Sequence, residues 1–284
     1  SGANANDIYK DNTTIYNTDS TSAIFTSTTK NLVSTSSTNY TANLIFSGNN
    51  TVSGYTDIDN GNIAINGTAT FSGTVQASSI DINTTNTITF NSAVDLSPTS
   101  TTYNYDLKFN SAGNIILNSD LTGNVTVTAN NQGTITTTGL NQTITGNIGT
   151  SVSNDLGVLN IGSSTNSTNY SNTTINGNVF ANSTVLNNNG STNSSTLILT
   201  AGSNITSNIT TTDANMGILT LQGSSNVDGT VGTNSERLNS INSGANGSSS
   251  TFTGDIYSVN ISNTGTGSTT FQNDVNATNV NVNA

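Results

Sequence analysis

The residues able to do chemistry are few. The chain has no histidine and no cysteine, so nucleophile–base triads and thiol nucleophiles are absent. Disulfides and zinc–thiolate centres are excluded for the same reason. Carboxylates remain, fifteen Asp and Glu in all. The tightest pair is Asp57 and Asp59 in DIDNG, where two acidic side chains enter an Asn60-Gly61 turn. Such a loop can lend oxygen ligands to Ca²⁺; an alternating strand entering a turn with both carboxylates solvated gives the same letters. The glycine-rich calcium nonapeptide of β-roll toxins does not occur, so the expectation is no cofactor, with Asp57 and Asp59 the one weak calcium candidate. Asp81, Asp95, Asp106, Asp120, Asp155, Asp213, Asp228, Asp255 and Asp274 are spread singly, as surface charges are.

Two cations and two aromatics complete the inventory. Nothing in sequence pairs with Lys108, whereas Arg237 follows Glu236 in SERLN and reads as part of a local or intersubunit ion pair. Tyr103 and Tyr105 in TYNYD point to one side of a strand, as a sugar-binding strip or as a partly buried edge. Four basic residues against a net charge of −11 leave no cluster to neutralise phosphates, which excludes nucleic acid and anionic membrane surfaces. No apolar run is long enough to span a bilayer as a helix. Asn-x-Ser/Thr triplets such as those at Asn12 and Asn204 arise by chance in this composition.

The elements that must hold these residues are strands. Asn, Thr and Ser make up about half of the 284 residues, charged residues 7% and hydrophobic residues 31%. Disordered chains carry high charge and much proline; here proline occurs once and β-branched residues abound, which suits strands. Short alternating segments (NTITF, GNIILN, STLILTA, GILTLQG, TNVNVNA) place aliphatic residues on one face and Thr, Asn and Ser on the other. Asn-Gly turns punctuate them. One skeleton recurs four times: FSGTVQASSIDI from Phe71, INGNVFANSTV from Ile175, FTGDIYSVNIS from Phe252 and FQNDVNATNVNV from Phe271. Each has a large apolar residue, Gly or Asn two on, and Val or Ile two further. Phe71, Phe90 and Phe109 lie at equal intervals, as do Phe252 and Phe271.

Regular recurrence over about twenty residues predicts a right-handed parallel β-helix (β-solenoid) of about 19–22-residue coils. About thirteen coils would make a rod roughly 60 Å long, with asparagines laddered along it. Its inward anchors are Phe71, Phe90, Phe109, Ile175, Val179, Phe252, Ile256, Phe271 and Val275. Residues 1–50 read as an irregular N-terminal cap or edge, and 51–284 as the solenoid. A longer repeat over 144–226 and 227–284 overlays Gly146 on Gly229 and Gly149 on Gly232.

The blocks GNIGTSVSNDLGVLNIG with TTINGNVFANSTV, and LTLQGSSNVDGTVGTNSERLNSIN with FTGDIYSVNIS and FQNDVNATNVNV, resemble the passenger domains of rickettsial surface-cell-antigen autotransporters. The resemblance covers roughly residues 144–284, with a weaker echo from about residue 50. It implies a β-solenoid at the bacterial cell surface, extracellular, without catalytic residues. Absence of cysteine fits that setting. Starting at Ser1 and ending at Ala284, without a translocator barrel, the chain reads as a cleaved passenger or as a related secreted subunit. The function expected is a non-enzymatic structural protein that self-associates into a filament or layer. The alternatives are a monomeric adhesin binding host or neighbouring cells and, further off, a polysaccharide-active β-helix enzyme.

Overall fold

The computed structural model describes residues 14–17, 23–25, 32–33, 43–58, 61–96, 105–163, 170–188 and 192–282, with side chains from residue 44 onward. All of the regular structure in them is strand, and every pairing between named strands is parallel, coil upon coil. Two sheets have twelve strands each and the third has six. The six-stranded line does not stop there: bridges from Val125 to Ile148 and from Ile148 to Val179 carry it on. The described residues therefore form a three-faced β-solenoid of about ten to twelve turns, which at the usual strand spacing make a rod roughly 55 Å long.

Alternation builds each face. In Asn62–Ile65, Thr68–Phe71, Ser79–Ile82 and Thr87–Phe90, every second residue is buried and its neighbours are not, as a period of two requires. Parallel stacking then places like on like. On the first face Leu44, Ile63, Ile80, Leu107 and Val125 follow one another in register. Ile148, Val179, Ile205, Val227 and Phe252 continue the column, and all ten are buried. Each coil supplies about one such residue per face, which is how a chain so poor in apolar residues keeps a continuous core.

Coil length is not constant. Phe71 pairs with Phe90 and their rings stack 5.1 Å apart; Phe252 pairs with Phe271 with centroids 5.3 Å apart. Elsewhere stacked residues are separated by as few as 17 and as many as 31 positions. The equal interval from Phe90 to Phe109 is accordingly a coincidence. Phe90 pairs with Leu117 on the second face, whereas Phe109 lies on the first between Ile82 and Val127. The longer coil between them displaced the register that the interval predicted.

The recurring skeleton proves to be a corner device rather than a marker of one lateral position. Phe71 to Val75 turns from the second face to the third. Ile175 to Val179 turns from the third to the first, and Phe252 to Ile256 from the first to the second. The glycine is required by close approach: a Cβ on Gly73, Gly177 or Gly254 would lie within 2.5 Å of the carbonyl oxygen of the coil below. In the copy at Ile175 a bulge between Phe180 and Ser183 turns Val185 outward and puts Thr184 inside.

The polar residues are not confined to the outside. Thr137, Ser171, Thr173, Thr184, Ser195, Ser243, Ser250 and Ser258 are fully buried. Their hydroxyls are satisfied locally: Ser171 Oγ donates to Gly139 O at 2.7 Å, Thr173 Oγ1 to Thr137 Oγ1 at 2.7 Å and Ser250 Oγ to Gly223 O at 3.1 Å. A small hydroxyl that bonds a nearby carbonyl or another buried hydroxyl adds little burial cost. The outward-only expectation for Ser and Thr therefore fails at these positions.

The predicted asparagine ladder is present. Asn124, Asn147, Asn178, Asn204 and Asn226 occupy successive coils. Each side-chain oxygen accepts the next residue's backbone N–H, at 2.9, 2.8, 3.0 and 2.8 Å. A second run joins Asn66, Asn83 and Asn110 through amide–amide bonds of 3.0 and 2.9 Å. Asn204 both accepts from Asn226 and donates to Asn178 Oδ1. Asn204→Ala is expected to lower stability by about 1–2 kcal/mol, read as a lower urea midpoint at unchanged slope; no change would mean that water replaces the rung without cost.

Candidate functional site

The residues singled out by chemistry do not converge. Asp57 lies in the strand Thr56–Asp57, half-buried, between Val33 and Gln76 of neighbouring coils; Asp59 lies outside the described residues. Among the described residues no three His, Cys, Asp or Glu gather as a metal site would need. Tyr103 also lies outside them, and Tyr105 is half-buried with its hydroxyl enclosed. Arg237, expected in a local or intersubunit ion pair, makes a different contact within the chain. Its guanidinium donates to Asn276 Oδ1 at 2.9 Å, so it ties the loop 233–237 to the last described coil. The Glu236 backbone N–H donates instead to Thr233 Oγ1 at 2.9 Å.

The single carboxylates act as rungs. Asp81 accepts from Asn62 at 2.9 Å and from Asn110 at 3.2 Å. Asp120 accepts the Thr143 N–H, and Asp155 the Asn131 N–H, both at 2.7 Å. Charge-assisted bonds of this kind are stronger than neutral ones, so each of these carboxylates has a structural partner on a neighbouring coil.

The longer repeat has a structural counterpart. Gly146 and Gly229 share φ values of 137° and 138°, Gly149 and Gly232 values of 71° and 75°. In both copies the second glycine's N–H bonds back one coil, to Val125 O and to Ile209 O. The following threonine N–H closes a projecting loop, Thr150 on Asn154 O and Thr233 on Glu236 O, both at 3.0 Å. The positive φ and the nearby Phe180 or Tyr257 carbonyl leave no room for a side chain at Gly149 or Gly232. The two copies sit on different faces, since Ile148 continues the first-face column and Val231 lies between Ile209 and Ile256 on the second.

Of the predicted anchors, Phe71, Phe90, Phe109, Ile175, Val179, Phe252 and Ile256 are buried. Phe271 is half-buried and Val275 is 40% exposed. The reason is position: Val275 is in register with Ile256, and among the described residues no strand lies on its other side. Val280 and Val282 on the same strand, Val275–Val282, are 58% and 70% exposed. Among the described residues that strand pairs with Ile256–Asn263 alone, and its exposed valines stand in the register of the apolar rung beneath. The other concavities lie on a lateral face, over Phe180, Thr206 and Asp228. Sequence reasoning passed over Phe180 and Thr206 and took Asp228 for a lone surface charge; the signal available was Phe180, an aromatic at the outward step after Val179. Comparison with protein-family models, curated proteins and solved structures gives no match.

Proposed function

We propose that this chain is a non-enzymatic structural protein of a bacterial cell surface, akin to the rickettsial surface-cell-antigen passengers that its C-terminal blocks resemble. In this reading its solenoids stack end to end into an extracellular filament or layer. One observation carries it: the described strands stack in parallel register from coil to coil, and Val275–Val282 presents that same register, with its valines exposed, to the next strand laid on it. Open strand edges template further strands, and lateral faces already closed by hydrogen-bonded rungs direct growth along the axis. A second copy is the occupant proposed. The absence of His and Cys and the use of carboxylates as rungs support a mechanical rather than a catalytic role. Low charge density, 7% of residues, keeps repulsion between stacked copies weak.

Light scattering and negative-stain microscopy of the 284-residue chain, in calcium and in chelator, test this. Wild type should form filaments or sheets in both, and Val280→Lys, which sets a charge in the apolar end rung, should give isolated rods roughly 55 Å long. Isolated rods of wild type at every concentration would overturn the stacking and leave the monomeric adhesin. Assembly in calcium alone would bring Asp57 and Asp59 back as ligands.

A further inference from the structure

Two adjoining hollows run along one lateral face of the C-terminal half. One, of about 220 Å³, is walled by Val152, Phe180 and Asn208; the other, of about 460 Å³, by Asn204, Asn226 and Gln272. They share Thr206 and Asp228 and so form one groove. Its floor is a column with one residue per coil. Phe180 pairs with Thr206, and Thr206 with Asp228. The Thr253 hydroxyl donates to Asp228 Oδ1 at 2.7 Å, and Gln272 succeeds Thr253 because Phe252 pairs with Phe271. Five coils at the usual spacing make the groove roughly 20 Å long, parallel to the rod.

The geometry points to this groove as a binding site for a linear, uncharged glycan lying along the solenoid axis. Its lining offers amide donors, hydroxyls and acceptor oxygens in both senses, which is what a polymer of hydroxyl groups needs. Asp155 and Asp228 contribute negative charge while no Lys or Arg lines either hollow, so uronate or phosphate polymers are repelled. Phe180, half-buried at one end beneath the exposed Val152 loop, presents an apolar ring for the face of a sugar.

An extended peptide fits this groove poorly. Peptides join solenoids by adding a strand to a free edge, whereas the floor strands that carry Phe180, Thr206, Asp228 and Thr253 are paired on both sides. The groove is also rigid before any ligand arrives: the Asn204 amide is held by Asn178 and Asn226, which lowers the ordering cost of binding. The inference does not depend on end-to-end stacking, because the groove lies on a side of the rod and the stacking surface at its end.

The test is affinity electrophoresis of the full chain, carrying Val280→Lys so that mobility does not report polymerisation, through native gels containing dextran, laminarin, mannan or galactan. Polygalacturonate serves as the anionic comparison. At least one neutral polymer should retard the chain and polygalacturonate should not. Phe180→Ala and Thr206→Lys, the second filling the groove from an outward strand position, should each weaken binding about tenfold or more with the circular dichroism spectrum unchanged. Thr206→Lys keeps the test decisive if the Phe180 variant misfolds. Unaltered mobility in all four neutral gels would overturn the proposal. So would retardation that survives both substitutions, or stronger retention by polygalacturonate.

Discussion

Phe252→Asp should unwind the C-terminal coils and leave the remainder of the rod folded. Phe252 is fully buried, stands in the first-face column above Val227, and stacks on Phe271 at 5.3 Å with the rings 21° apart. Truncating a buried phenylalanine costs about 3–5 kcal/mol, and a carboxylate in its place must also be desolvated or drawn out to water. A solenoid's stability is approximately a sum over coils and their interfaces, so the loss stays local. Hydrogen exchange should show protection lost from about residue 249 to 282 and kept in the strands of residues 61–96. Thermal melting should gain an early transition. An unchanged melting curve would sink the register, since only an outward placement of Phe252 makes the substitution harmless.

Gly146→Val should act at the middle of the rod. Gly123, Gly146 and Gly177 stack so closely that a Cβ on Gly146 would lie 2.2 Å from Gly123 O. One on Gly177 would lie 2.1 Å from Gly146 O. Contacts of that length are with backbone, which cannot swing aside as a side chain would. The φ of 137° at Gly146 adds a second penalty for a β-branched residue. Together they should cost about 3 kcal/mol or more and uncouple the coils on either side, splitting urea unfolding into two transitions. Gly247→Ala is the comparison: nothing lies within 4 Å of its added Cβ, and only the positive φ of 71° weighs against it, about 1 kcal/mol. Equal midpoints for the two variants would show that crowding at the corner contributes nothing.

Both predictions use residues that the sequence marks, yet it marks them unevenly. The motif with Phe71, Gly73 and Val75 is legible because an inward apolar residue, a glycine or small polar residue at close approach and a second inward apolar residue recur at the corners. Which corner is not legible, because the same local constraint operates at all three. Phe109 shows the same limit from the other side. Its interval from Phe90 equals a coil, but the coil there is longer, and only pairing with Ile82 and Val127 places it.

The buried hydroxyls were illegible for a different reason. Thr137 and Thr136 are the same residue type in one alternating stretch, and one is inside while the other is half-exposed. What admits Thr137 is the Thr173 hydroxyl, which reaches it from another face across the interior at 2.7 Å and lies 36 positions away. Arg237 likewise sits beside an acidic neighbour in sequence and bonds instead to Asn276, 39 positions on.

By itself the sequence determined the class: strands with period two, no catalytic triad, no phosphate-binding patch, and a parallel solenoid with asparagine rungs. These follow from composition and local spacing, because alternation, turn chemistry and missing residue types need no distant partner. Only the tertiary structure decided which residues stack, which Ser and Thr go inside, and that Phe180, Thr206 and Asp228 line up as one groove. The physical reason is that coil length varies from 17 to 31 positions, so lateral neighbours are chosen by the summed fit of whole ladders and not by any interval written in the chain.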